Sequence, residues 1–349
     1  MGDRLVAVTD SLPGPVRATL ARAVVRPSWL GVGAVALLGP LLPSLPPAVV
    51  YAPFALSVVV LGLPHGAVDH LVPARVADAG LGASMAAVGA VYAVLMAAYA
   101  VGWFLSPTAA FAFFVALTWF HWGQGDVYAL LAFTDAEHLP TSPERALALL
   151  VRGGLPMLAP LVAFPERYRA VATAVVGLFG ADVAALAPVF APSARAAVGG
   201  GLLAASALGV ALGYRRVRRG AARGPWLVDA GEVALLWAYF ALVPPILAVG
   251  VYFCAWHALR HVGRLVLADD PAATALARGE VRPALRRFAR DAAPLTAASL
   301  LVFAGLYLAV PNAPGDRAGL LGLYLVGIAV LTLPHVAVVT WMDVRQGVW

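Results

Sequence analysis

Six of the chain's seven histidines fall within or at the ends of apolar stretches: His65, His70, His121, His257, His261 and His335. Ionisable side chains in such settings are costly, and by default they mark a functional interior. In WHALRHVGR, His257 and His261 stand four residues apart, which puts both on one face of a helix, one turn from each other. One helix can give two ligands to one metal ion at that spacing. The plain alternative is a pair of core histidines bonded to backbone or to each other. Imidazole suits zinc, copper and iron. The HExxH pattern of zinc proteases is absent, and Cys254 is the single cysteine, so no thiolate set accompanies the histidines. The seventh histidine, His138, lies in the polar stretch TDAEHLPTSPER and needs no special role.

Polar neighbours of the histidines have the types that orient ligating imidazoles, since such a ring usually donates its other N–H to a carboxylate or carbonyl. Asp69 follows His65 by four in GLPHGAVDH, on the same face if the helix continues. Gln124 and Asp126 follow His121 by three and five in FHWGQGD, and Glu232 and Asp343 are further candidates. For Asp343 the expected position is an interface facing water. Pro64 and Gly66 flank His65, and Gly123 and Gly125 follow His121. Proline kinks a helix and glycine permits close approach. LPHGAV at 63–68 is echoed by LPHVAV at 333–338, which suggests similar local bends. Trp119, Phe120, Trp122, Tyr252, Phe253, Trp256 and Trp341 crowd the same segments. Of these, Trp119, Trp122, Tyr252 and Trp256 are the candidates for walls around a long, flat, apolar ligand; ordinary packing is the competing reading.

The elements that carry these residues are membrane helices. The chain has 349 residues, 62% hydrophobic and 12% charged, with mean hydropathy +0.85, far from the roughly 25% charged residues of soluble domains. The fold class is all-α, a polytopic transmembrane helical bundle of about ten spans within a range of eight to eleven. Ten stretches approach the roughly 20 apolar residues that cross a bilayer: 28–45, 48–69, 83–105, 107–131, 146–163, 194–213, 227–243, 246–267, 291–310 and 319–341. The stretch 171–191, with Asp182 and nearby prolines, reads as an interfacial or re-entrant helix. Residues 1–27 form an expected cytoplasmic arm, and 28–349 a single integral-membrane domain. GGG at 199–201 suggests close helix packing.

Every basic residue is arginine, and the formal charge is +6. With the N-terminus in the cytoplasm, Arg4, Arg17, Arg22, Arg26, the RRVRRGAAR run and most other loop arginines lie inside. Arg167, Arg169, Arg195 and Arg317 lie opposite, which satisfies the positive-inside rule for a multi-pass protein of the cell membrane. The arginines therefore address anionic lipid rather than nucleic acid. In this topology His65, His121, His257, His261 and His335 all fall in the inner halves of four parallel helices, at a similar depth, which suggests one shared site. The absence of lysine excludes a Schiff-base chromophore of the rhodopsin type.

GLPHGAVDH, FHWGQGD, WHALRHVGR and TLPHVAVVTWMD, in that order, resemble the motifs of the bacteriorhodopsin-related-protein family (Brp/Blh), membrane β-carotene 15,15'-dioxygenases. The resemblance covers the chain from about residue 50 onward. It implies cleavage of the central double bond of lipid-borne β-carotene by O2, with Fe(2+) as cofactor, giving two molecules of all-trans-retinal. By motif, His65, His121, His257 and His261 correspond to the iron ligands, and Asp69 to the aspartate beside the first of them. His70 and His335 fit family positions without an assigned role, and an opsin is an expected recipient of the retinal. The residues alone also allow a bis-histidine haem electron carrier, a proton-relaying transporter, or a membrane di-iron desaturase, although six placed histidines are fewer than the about eight that such desaturases use.

Overall fold

The computed structural model describes residues 12–39, 45–77 and 79–349; the first part of the expected arm, with Arg4, and the end of the first expected span lie outside them. Among the described residues the chain is helical throughout, without strands. α1 (Gly14–Leu20) and α2 (Arg26–Leu37) join through one π-helical turn into a single run that begins inside the expected arm. α3 (Pro47–Ser57), α4 (Gly62–Gly66) and α5 (Val72–Val76) form a broken second run. α6 (Leu81–Leu105), α7 (Pro107–Thr134) and α8 (Ser142–Ala163) follow as long helices. α9 (Pro165–Gly177) and a 3-10 turn at Ala184–Phe190 occupy the region expected as interfacial or re-entrant. Then come α10 (Pro192–Val217), α11 (Arg223–Leu242), α12 (Pro245–Tyr252), α13 (Leu259–Leu267), α14 (Asp270–Ala277), α15 (Val281–Ala309) and α16 (Arg317–Arg345).

Local sequence accounts for these boundaries. Proline opens α3, α7, α9, α10 and α12, where its missing N–H removes a donor that would be unpaired anyway. Thr141 and Glu144 form a reciprocal capping box at the start of α8. α7 stops at Asp135, which takes the left-handed conformation at φ 51°.

Among the described residues, seven helical runs are long and apolar enough to cross a membrane. The three other expected spans are α7, α11 and the α12–α13 run. All three carry buried polar residues: His121, Gln124 and Asp126; Glu232; His257, Arg260, His261 and Arg264. α16 is the inner post of the bundle, with 67% of its apolar window buried, against 11% for α15 and 17% for α6. It packs on α6, α7, α9 and α15, while α8 packs on α7, α10 and α11.

The second span is not the continuous helix expected over 48–69. α3 ends at Ser57, α4 is a single turn, and Asp69–Leu71 is a 3-10 turn. Gly62 permits the break, because a Cβ there would meet the Ser57 carbonyl oxygen at 2.4 Å and the Phe253 ring at 2.7 Å. The echoed motif behaves differently, since α16 runs unbroken through Pro334, so the two segments share no bend. Of the three glycines at 199–201, only Gly199 lies against a neighbour, Val162.

Candidate metal centre

The five deep histidines converge from different elements: His65 from α4, His121 from the middle of α7, His257 from a π-helical segment (Phe253–Ala258), His261 from α13 and His335 from α16. All five are buried. The π segment between α12 and α13 widens the helix at His257, a local distortion frequent at functional sites. Two glycines let rings approach backbone: Gly66 lies under the His335 ring and Gly125 under the His257 ring.

The ring centroid of His335 is 4.9 Å from His65, 4.8 Å from His121 and 5.0 Å from His261. The Nε2 atoms of His121 and His257 are 3.1 Å apart. One nitrogen each from His65, His121 and His335 lies within 4.8 Å of the other two, and the same holds for His261, His335 and an oxygen of Asp69.

The outer nitrogens have partners. His65 Nδ1 donates to the Gly62 carbonyl. His335 Nδ1 donates to Asp69 Oδ2 at 2.7 Å. His121 Nδ1 faces Gln124 Oε1 at 3.5 Å, and the Gln124 amide donates to Thr340 at 3.1 Å. With those protons outward, the inward nitrogens keep lone pairs. His65 Nε2, His335 Nε2 and both His261 nitrogens are buried without a hydrogen-bond partner, a costly state for polar atoms. Neutral imidazoles with free lone pairs gathered at one centre are a donor set that fits iron, zinc or copper.

Asp69 does meet an imidazole, but that of His335, because the break in the second span carries it away from His65. Its Oδ2 also accepts from the Tyr92 hydroxyl at 2.7 Å. His70 is half-buried, with Nδ1 on the Ala67 carbonyl at 3.1 Å, and lines the cavity beside the site rather than joining the cluster.

Asp126 and Glu232 are not imidazole partners. Both belong to a buried ionic network centred on Arg152, which is 0% exposed. Its guanidinium reaches Asp126 at 3.1 Å, Glu232 at 2.8 Å and Asp229 at 2.6 Å. Arg260 pairs with Glu232 at 2.5 Å and lies 3.8 Å over the Trp256 ring, whose N–H donates to Asp126 at 2.9 Å. Asp343, expected at a watery interface, is buried and pairs with Arg264 at 2.8 Å. His138 is also buried, and its Nε2 meets Asp229 Oδ2 at 2.9 Å. The α13 helix thus turns His261 toward the cluster and Arg260 and Arg264 toward carboxylates.

An apolar cavity of about 650 Å³ opens on the cluster, lined by His65, His121, His257 and His335, within the about 300–1,000 Å³ usual for small-molecule sites. Of the four aromatic wall candidates only Trp122 lines it. Trp119 donates instead to the Leu150 carbonyl at 2.8 Å, Tyr252 is sealed in the core, and Trp256 serves the ionic network. Phe253, Tyr92, Phe111 and Tyr324 are among the other aromatic residues of the wall. Tyr92 carried no sequence signal, being one of two tyrosines in a helix apolar all round.

A family model described as "Beta-carotene 15,15'-dioxygenase" matches residues 56–343, which include all five clustered histidines. The chain is 48% identical over 349 residues to "Probable beta-carotene 15,15'-dioxygenase Blh" of Halobacterium salinarum, covering 100% of both chains. It is 32% identical over 310 residues to "Probable beta-carotene 15,15'-dioxygenase Brp" of the same species, covering 85% of this chain and 84% of the relative. No solved structure matches it.

Proposed function

The chain belongs to the beta-carotene 15,15'-dioxygenase family, and on that premise we propose that it cleaves the central 15,15' double bond of β-carotene with O2, using Fe(2+). Both atoms of O2 enter the products: one carbon–carbon double bond is lost and two aldehyde carbonyls form, as two molecules of all-trans-retinal. The observation that carries this reading is the adjacency of an apolar cavity to a cluster of unpartnered imidazole nitrogens.

His65, His121, His257 and His261 would hold the metal. Iron bound there would supply the redox chemistry by which O2 reacts with a polyene. The Gly62 carbonyl, Gln124 and Asp69 fix the outward protons of three rings, so that the inward nitrogens stay available. Trp122 and Phe253 stack against the His257 side of the cavity and orient a flat hydrocarbon while excluding water. α6 and α15, the two long helices with the least buried faces apart from α10, form part of the cavity wall. A carotenoid dissolved in lipid enters between helices of that wall. The protein then sits in the cell membrane with its N-terminus in the cytoplasm, residues 28–349 act as one catalytic domain, and an opsin is a fitting recipient of the product.

Expression of the chain in β-carotene-producing cells tests the reading. Loss of orange colour with accumulation of retinal is the expected result. Persistent colour in cells that express the protein well and are supplied with iron would sink it. The haem-carrier alternative meets a geometric objection: three further imidazoles crowd the centre where a macrocycle needs a clear plane. A Soret band in the purified protein would revive it.

A further inference from the structure

α6 holds the turn that follows α4 at two points. Ser84 donates to the His70 carbonyl at 2.7 Å and accepts from the Ala74 N–H at 3.2 Å. Tyr92, two turns along the same face, donates its hydroxyl to Asp69 Oδ2 at 2.7 Å. The same oxygen accepts His335 Nδ1 at 2.7 Å. A chain of contacts therefore runs from a lipid-facing helix, through a carboxylate buried to 1% exposure, to the His335 imidazole of the cluster. His335 Nε2, at the far side of that ring, is buried and unpartnered.

We propose that His335 is a fifth metal-holding histidine and that Tyr92 is a positioning residue for it, acting through Asp69. The inference rests on the metal reading above. Asp69 accepts the Nδ1 proton, which selects the tautomer with a free Nε2 and sets the plane of the ring. Tyr92 fixes the carboxylate by occupying the same oxygen, so that Asp69 cannot swing into the cavity that it also lines. Gly66, beneath the ring, leaves the space in which this orientation fits. The arrangement places one wall of the substrate cavity in direct mechanical contact with the metal site, because Tyr92 lines that cavity as well.

The test compares iron affinity, by chelator competition, in the purified full chain and in Tyr92→Phe, His335→Ala and Ser84→Ala, together with thermal unfolding of each in metal-free form. Removing a partner that orients a ligand typically weakens metal binding about 10–100-fold, so Tyr92→Phe is expected to fall in that range. His335→Ala should fall further, and Ser84→Ala should bind iron like the wild type. The metal-free midpoint of Tyr92→Phe should fall no further than that of Ser84→Ala, which also loses buried hydrogen bonds, so a loss of iron affinity confined to Tyr92→Phe separates positioning from packing. Wild-type iron affinity in Tyr92→Phe overturns the inference, and so does an equal loss in Ser84→Ala. A wild-type chain that takes up no iron overturns the reading of the whole site instead.

Discussion

The Nε2 atoms of His121 and His257 face each other at 3.1 Å across the gap between α7 and the π segment. Two imidazole lone pairs at that distance repel unless a proton or a cation lies between them. With His121 Nδ1 turned to Gln124, a metal ion satisfies both nitrogens at once. His257→Ala and His121→Ala are each expected to lose bound iron and to form no retinal. Metal analysis of the purified variants checks this, and full iron loading in either one would remove that histidine from the site.

His70 gives the opposite expectation. Its Nδ1 is spent on the Ala67 carbonyl, and the ring is half-buried at the cavity edge. His70→Ala should therefore keep the iron content of the wild type, with any change showing as altered KM for the carotenoid. Loss of iron in this variant would show that the cluster is larger than five rings.

The histidines were legible in the sequence because a polar ring in a greasy helix is conspicuous, and a shared depth in four helices pointed to one site. His335 was visible but not its neighbours, since the rings it meets depend on how α16 threads the bundle. Spacing along the chain sets Asp69 beside His65 only in a continuous helix, and the helix that carries His65 ends at Gly66. Arg152, Asp229 and His138 were hidden for another reason: a charge in a span becomes tolerable through partners more than 70 residues away, and spacing along the chain carries no trace of them. The wall aromatics show the same limit. Trp122 and Trp256 look alike in sequence, yet one faces the cavity and the other faces a carboxylate.

Arg152 offers a stability test. Its guanidinium is fully buried among Asp126, Asp229 and Glu232. Arg152→Met leaves Asp126 and Glu232 to Arg260 and Asp229 to His138, and removal of one partner from a buried ion pair costs about 3–5 kcal/mol. Thermal unfolding in detergent should show a large drop in midpoint. Wild-type stability would mean that the carboxylates do not rely on Arg152 for their charge balance.

Gly153 sits where α8 crosses α7. A Cβ there would meet the Trp119 carbonyl oxygen at 1.9 Å, whereas one at Gly200 would meet nothing within 4 Å. Overpacking of this kind costs about 1–3 kcal/mol, and the contact here is with backbone, which cannot rotate away. Gly153→Ala should lower the yield of folded protein and its unfolding midpoint, and Gly200→Ala should not. Equal midpoints would place the helix crossing further apart than the structure has it.

The two tryptophans divide substrate handling from scaffold. Trp122 lines the cavity and its ring lies 5.5 Å from that of His257, so Trp122→Ala removes a wall against which the polyene lies. Trp256 is 0% exposed, donates to Asp126 and carries Arg260 on its face. Trp256→Ala opens a void and strips a donor from a buried carboxylate, at about 3–5 kcal/mol for the lost side chain and its cavity together. Trp122→Ala is therefore expected to keep its iron and to lose less stability than Trp256→Ala, since its ring already borders the cavity, while KM for β-carotene rises or cleavage slips from the central bond. Trp256→Ala is expected to lose stability first. Product analysis alongside thermal unfolding distinguishes them. If Trp256→Ala were stable and altered only the product pattern, Trp256 would belong to the substrate wall after all, and the cavity would have to extend behind the π segment.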